Sequence, residues 1–190
     1  MNDRDLVKRI CEGDENSFRL LVEKYQDIVF RTCYGFLKNV EDSEDLTQDV
    51  FIKVYRKIQD FRGDSEFSTW LYRIAVNMSI NVLRQNKRRK LFENIENVIF
   101  SAGKNNQNSL IDVSVEEQFE KKQYENAINA AIDELPTNQK TAFIFHKYDD
   151  LSQIEIANIM NTSVSAVESL IHRAKQNLQN KLISVYKGNK

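Results

Sequence analysis

One proline and five glycines stand among 190 residues. That is too little punctuation for an all-β protein, whose turns call on both residues repeatedly. Long helices are the default that remains. Histidine and cysteine are just as scarce, with two of each. Neither His146 nor His172 has a metal-ligand spacing or a nucleophile beside it, and Cys11 and Cys33 lack a CxxC spacing. Both cysteines are expected as small, reduced core residues. No run approaches about 18 consecutive apolar residues, so no membrane insertion is expected. The start, MNDRDLVKRI, has no apolar h-region, and the reading is of a cytoplasmic protein without a secretory signal. P-loops, GxSxG elbows and Gly-rich phosphate cradles are missing too. No catalytic residue, cofactor or metal ligand is expected.

What is present is charge, sorted by position. The total is −1, which alone argues weakly against a nucleic-acid partner. Yet residues 41–60 hold six acids against three bases, and residues 71–90 hold six bases and no acid. Residues 92–120 are acidic again, and residues 165–190 carry five bases against Glu168. Two basic blocks separated by acidic ones imply two polyanion-facing surfaces and at least one further partner.

The apolar pattern predicts helices throughout. Phe18, Leu21, Val22, Tyr25, Ile28, Val29, Cys33, Phe36 and Leu37 form an i, i+3, i+4, i+7 stripe ending near Asn39. A second helix starts at Ser43 or just before it, with Leu46, Val50, Val54 and Ile58 as its stripe. Residues 61–65 break the period and read as a loop. A third helix runs from about Ser68 to Lys90, with Leu71, Ile74, Ala75, Met78 and Val82 on one face. With a short helix at Leu6–Cys11 these make a bundle over residues 1–90. Residues 91–115, rich in Asn and without a period, read as a mobile linker. A second helical domain follows at 116–190. Ser114-Val115-Glu116-Glu117 is a capping box opening a helix to about Leu135, and Pro136 starts the next, to Tyr148. Ser152-Gln153-Ile154-Glu155 is a second capping box, opening a helix that ends at Met160 or Asn161, and the last helix runs from Val164 to about Lys187. The fold class is all-α, two helical domains joined by a flexible linker.

Two segments carry recognition chemistry. The helices on either side of Thr162-Ser163 have helix-turn-helix spacing, whose second helix would present Ser163, Ser165, Glu168, Ser169, His172, Arg173 and Lys175 to a major groove. A packed helical corner shows the same spacing. On the third helix, opposite its apolar stripe, Asn77, Asn81, Arg84 and Arg88 form a polar line suited to bases and phosphates. Phe61, Phe67, Trp70 and Tyr72 surround the loop before it. Aromatics beside a basic face can hold unstacked bases; they can equally be core.

Asp45-Leu46-Thr47-Gln48-Asp49-Val50-Phe51, FRGDSEFSTWLYRIAVN at 61–77, Leu135-Pro136 and LSQIEIANIMNTSVSAVESLIHRAK at 151–175 together resemble the extracytoplasmic function (RpoE-like) group of bacterial sigma factors. The resemblance covers about residues 10–90 and 116–187. It implies a subunit that binds core RNA polymerase and directs it to promoter DNA. Asp45, Gln48 and Asp49 would dock on the clamp helices of the polymerase. Loop residues Phe61, Arg62, Asp64 and Ser65 would capture a base flipped from the nontemplate strand of the -10 element. Asn77 and Asn81 would lie near that element, with Arg84 and Arg88 on the same line. The second domain would meet the polymerase flap and read the -35 element as duplex, while the acidic linker would run through the RNA exit channel. An anti-sigma factor is expected as regulatory partner, and a monomer when free. Relatives often carry basic residues at the positions held here by Glu168 and Leu170. Glutamate can accept from cytosine N4, so the -35 preference is expected to differ.

Two other readings compete. One is a helix-turn-helix regulator that binds operators as a dimer, with residues 1–90 as sensor. The other is a metal-dependent nuclease or hydrolase using the 41–49 carboxylates, of which Glu41, Asp45 and Asp49 fall at i, i+4, i+8.

Overall fold

A computed structural model describes residues 1–100 and 126–188, with side chains described over 1–89 and 126–183. Among the described residues every regular element is helical. Helices α1 (Asp3–Cys11), α2 (Glu15–Leu37), α3 (Val40–Lys57) and α4 (Phe67–Phe100) form the first half, with a 3₁₀ turn at Ile58–Asp60. The second half holds α5 (residues 126–133), α6 (Thr137–Lys147), α7 (Gln153–Met160) and α8 (Val164–Gly188).

Local chemistry sets these boundaries. Asn2, Asp14 and Asn39 cap α1, α2 and α3 by accepting main-chain N–H bonds from the first turn. Ser152 and Glu155 form the reciprocal capping box of α7 that the sequence predicts. Helix α3 starts earlier than the Ser43 reading because Asn39 supplies the cap. Helix α4 runs ten residues past its predicted end at Lys90; no proline or glycine stands between Lys90 and Phe100 to stop it. The remainder of the predicted linker, and the capping box at 114–117, lie outside the described residues.

The first half buries a core of its own. Leu6, Leu21, Val29, Cys33, Val50, Val54, Phe67, Leu71 and Ala75 form one apolar cluster. Cys11 departs from the expected core position: it is exposed, at the last residue of α1, while Cys33 is fully buried. Burial also pushes the Cys33 thiol up, away from the reactive thiolate.

A second cluster joins the two halves. Phe36 of α2 and Tyr72 and Val76 of α4 pack with Ala142, Ile144, Phe145, Ile156 and Val167. The sequence reading places Phe36 on the first bundle's own stripe; it keeps that stripe's phase, about five turns after Phe18, but it stands at the C-terminal end of α2, where the second half packs. Helix α4 has a second stripe, Tyr72, Val76, Ile80 and Leu83, beside the one read first. At the crossing of α2 and α6, a Cβ on Gly35 would lie 2.6 Å from Ile144 Cγ2, so glycine is what lets these helices approach. Polar contacts flank this core. Thr32 Oγ1 lies 2.9 Å from Asp149 Oδ2, Tyr72 and Phe145 meet edge-to-face at 5.4 Å, and Lys38 Nζ sits 3.9 Å from the Tyr148 ring centre. The third cluster, Ala131, Ile132, Leu135, Ala174 and Leu178, packs α5 on α8.

Candidate nucleic-acid interface

The helix-turn-helix is formed as predicted. Helix α7 ends at Asn161, whose φ of 52° turns the chain in the left-handed region that asparagine tolerates. Ser163 Oγ then accepts from the Ala166 N–H at 3.2 Å and lies 3.1 Å from Ser165 Oγ, capping α8. Val167, Ile171, Ala174 and Leu178 anchor α8 inward. This leaves Ser163, Ser165, Glu168, Ser169, His172, Arg173 and Lys175 exposed, all seven of the predicted groove-facing residues. Leu170 does not share that face; it packs half-buried on the core between the halves.

On α4, Asn77, Asn81, Arg84 and Arg88 are likewise exposed. Asn77 differs from the others in lining a crevice of about 450 Å³ with Arg73, Asn138, Thr141, Phe145 and Asn161. Arg73 crosses to the second half, its Nη2 donating to Asn158 O at 2.6 Å and its Nε to Ile159 O at 3.0 Å. The sequence reading counted Arg73 only as part of a basic block.

The loop before α4 is divided by its neighbours. Phe61 packs on Phe67 and Trp70 with ring centres 5.5 Å apart in each pair. Phe67 is buried and Trp70 half-buried. The aromatic group is therefore core first, with only part of Phe61 and Trp70 reaching the surface. Gly63 has φ of 77°, a left-handed turn that strains any other side chain. Phe61, Arg62 and Gly63 line a hollow of about 280 Å³ with Arg4 and Lys8 of α1. Asp64 and Ser65 instead face Arg73, Asn158, Asn161 and Thr162. Arg4 and Lys8 were missed by the sequence reading; their i, i+4 spacing on a short helix was the available signal.

The acidic face of α3 also splits. Asp45 and Asp49 are exposed and border a hollow of about 220 Å³ with Asp42, Val82, Asn86 and Arg89. Gln48 lies on the next face, beside Phe18, Val22, Phe51, Ile52 and Tyr55.

Comparison with known proteins decides what this arrangement belongs to. Residues 21–89 match the family model described as sigma-70 region 2, and residues 125–178 match that described as sigma-70, region 4. The chain is 36% identical to the RNA polymerase sigma-H factor of Pseudomonas aeruginosa, covering 92% of this chain and 90% of that one. It is 35% identical to the ECF RNA polymerase sigma-E factor of Escherichia coli, covering 96% and 95%. The chain belongs to the extracytoplasmic function sigma factors. Such a protein is an alternative sigma factor acting in transcription initiation, a DNA-binding regulatory subunit. The fold of this sigma factor is shared with CnrH, solved in complex with the cytosolic domain of CnrY (TM-score 0.63, 23% identity, 96% of this chain and 97% of that one). Helix α1 lies before the region 2 match, so Arg4 and Lys8 stand outside what the family model describes. No helix among the described residues is long and apolar enough to cross a membrane.

Proposed function

We propose that this sigma factor binds core RNA polymerase through the acidic face of α3 and reads a promoter through two separate faces, without a catalytic step of its own. Asp45 and Asp49 are the polymerase contacts at the clamp helices, with Gln48 on the adjoining face, and the second half meets the flap. On the -10 side, Asn77, Asn81, Arg84 and Arg88 hold nontemplate strand. Arg62 joins Arg4 and Lys8 around the Phe61 hollow as a seat for its phosphates, while Asp64 and Ser65 lie on the far side of the same loop. On the -35 side, α8 enters the major groove and Glu168 reads a base edge. The protein works in the cytoplasm as a monomer until polymerase takes it up. A regulatory protein of the anti-sigma kind holds it in reserve; CnrH, which shares the fold, is solved in complex with the cytosolic domain of CnrY.

The observation that carries this reading is the exposure of two polar, basic faces on opposite halves, each on a helix whose other side is buried. Neutralising about five duplex phosphates at the α8 face gives a log–log salt slope of about −4.5. The test is binding to core polymerase without DNA, followed by open-complex formation on a matched promoter. Asp49→Asn is expected to weaken polymerase binding and leave duplex binding unchanged. A helix-turn-helix regulator would bind duplex as a dimer and ignore the polymerase. A hydrolase would lose a divalent-metal-dependent turnover in the same variant.

A further inference from the structure

Thr32 Oγ1 stands 3.0 Å from the Ile28 carbonyl oxygen, one turn back on α2, and 2.9 Å from Asp149 Oδ2 across the contact between the halves. A hydroxyl has one hydrogen to give. Were Asp149 a carboxylate, Thr32 could serve only one of these two acceptors, and the other contact would set two oxygen lone pairs against each other. A protonated Asp149 resolves the conflict: its Oδ2 hydroxyl donates to Thr32 Oγ1, and Thr32 donates onward to Ile28. Thr32 is 0% exposed and Asp149 8%. Asp149 Oδ1 is buried and has no hydrogen-bond partner. A charged carboxylate with at most one donor is an unfavourable thing to bury.

The surroundings agree. Burial pushes the Asp149 carboxyl up to about 6, opposed by the Thr32 hydrogen bond and by Arg31 on α2, and assisted by Asp150 beside it in the chain. Two further titratable groups face it, the Cys33 thiol on α2 and the Tyr72 phenol on α4. Burial first, and Asp149 in addition, hold both in the neutral form. Glu155, at the start of α7, also bears on Tyr72. Among the described residues no lysine or arginine forms an ion pair with Asp149; Arg31 acts on it only through its charge.

We propose that the contact between the two halves is a proton-linked latch, in which Asp149 enters the closed arrangement as a neutral acid donating to Thr32 and becomes a carboxylate when the halves part. Its direction follows from linkage. The closed form holds the proton more tightly, so closure is favoured most below the ordinary carboxylate value of 3.8, weakens as pH rises, and loses this contribution above about 6. At neutral pH an ionised Asp149 thus works against closure and keeps the halves separable. Parting frees Arg73 from α7 and uncovers the crevice beside Asn77. The latch concerns the conformation of the chain alone and stands apart from the polymerase reading.

The test uses the full chain carrying one dye on exposed Cys11 and another on an introduced Asn180→Cys, with buried Cys33 left unlabelled. Energy transfer is followed from pH 4.5 to 8, with circular dichroism confirming that the helices persist. The wild type is expected to open as pH rises through about 6, while Asp149→Asn, which keeps a donor and removes the charge, stays closed throughout. A shift of about two pK units corresponds to about a hundredfold higher closed-to-open ratio for Asp149→Asn at pH 7.5. A second measurement leaves Asp149 in place. Gly35→Leu drives α2 and α6 apart, and the Asp149 carboxyl, followed by carbon NMR, is expected to return to the ordinary range. A pH-independent wild type, the same pH profile in Asp149→Asn, or an Asp149 still titrating near 6 in Gly35→Leu would each overturn the latch.

Discussion

Arg73 on α4 and Asn158 on α7 are joined by a hydrogen bond of 2.6 Å from Nη2 to the main-chain carbonyl, and the same guanidinium reaches Ile159 O. Both carbonyls lie in the last turn of α7, where orphan acceptors and the negative end of the helix dipole favour a cation. One side chain of α4 therefore also caps a helix of the opposite half.

Arg73→Ala is expected to weaken the contact between halves by about 1–2 kcal/mol, since two charge-assisted bonds are lost from a partly exposed site. Energy transfer between dyes on the two halves checks this. The helical content of each half should not change.

The capping box of α7 gives a pH prediction. Hydrogen bonds from the Ser152 hydroxyl, and then from its N–H, hold Glu155 below its ordinary value of 4.5. The group is depressed in the folded form, so its contribution is present in full above pH about 4.5 and fades as pH falls through the lower folded value. Glu155→Ala is expected to destabilise the helix-turn-helix by about 0.5–1 kcal/mol at pH 7. The difference from wild type, read by urea denaturation, should shrink toward pH 3.

Charge removal on the -10 side should appear in salt dependence. Arg84→Ala with Arg88→Ala is expected to lower the single-strand log–log slope by about 1.4, at roughly 0.7 per phosphate contact. Arg4→Ala with Lys8→Ala should lower it by a similar amount if α1 seats the strand. Binding of a fluorescent nontemplate oligonucleotide to the reconstituted holoenzyme, between low and moderate salt, measures both. Unchanged slopes in the second pair would confine recognition to α4.

Much of this protein was legible in its sequence because its helices are long, amphipathic and explicitly capped. Asp14 and Ser152 each sit where a helix begins, while Asn39, read as the end of a stripe, caps the next helix; α8 is anchored by Val167, Ile171, Ala174 and Leu178. The exposure of Ser163 and of the six α8 residues after it was foreseeable because a helix anchored on one face must expose the other. The packing of one half on the other was harder to see. Tyr72 and Val76 form a second stripe only once α4 is known to have two neighbours, and Gly35 looks like any helical glycine until Ile144 is placed against it. Asp149 could not be distinguished from Asp150 by sequence; one is buried against Thr32 and the other exposed. The aromatics around the loop were ambiguous for a physical reason: a ring that packs a core and a ring that stacks on a base have the same composition signal.

The most direct measurement is in vitro transcription by core polymerase from a library randomised upstream of the start site, with the wild type and with Glu168→Lys. The account predicts that the wild type enriches two separated sequence blocks. Glu168→Lys should rewrite only the upstream one and raise nonspecific DNA affinity. Transcription no better than core enzyme alone, or identical blocks selected by both proteins, would contradict it.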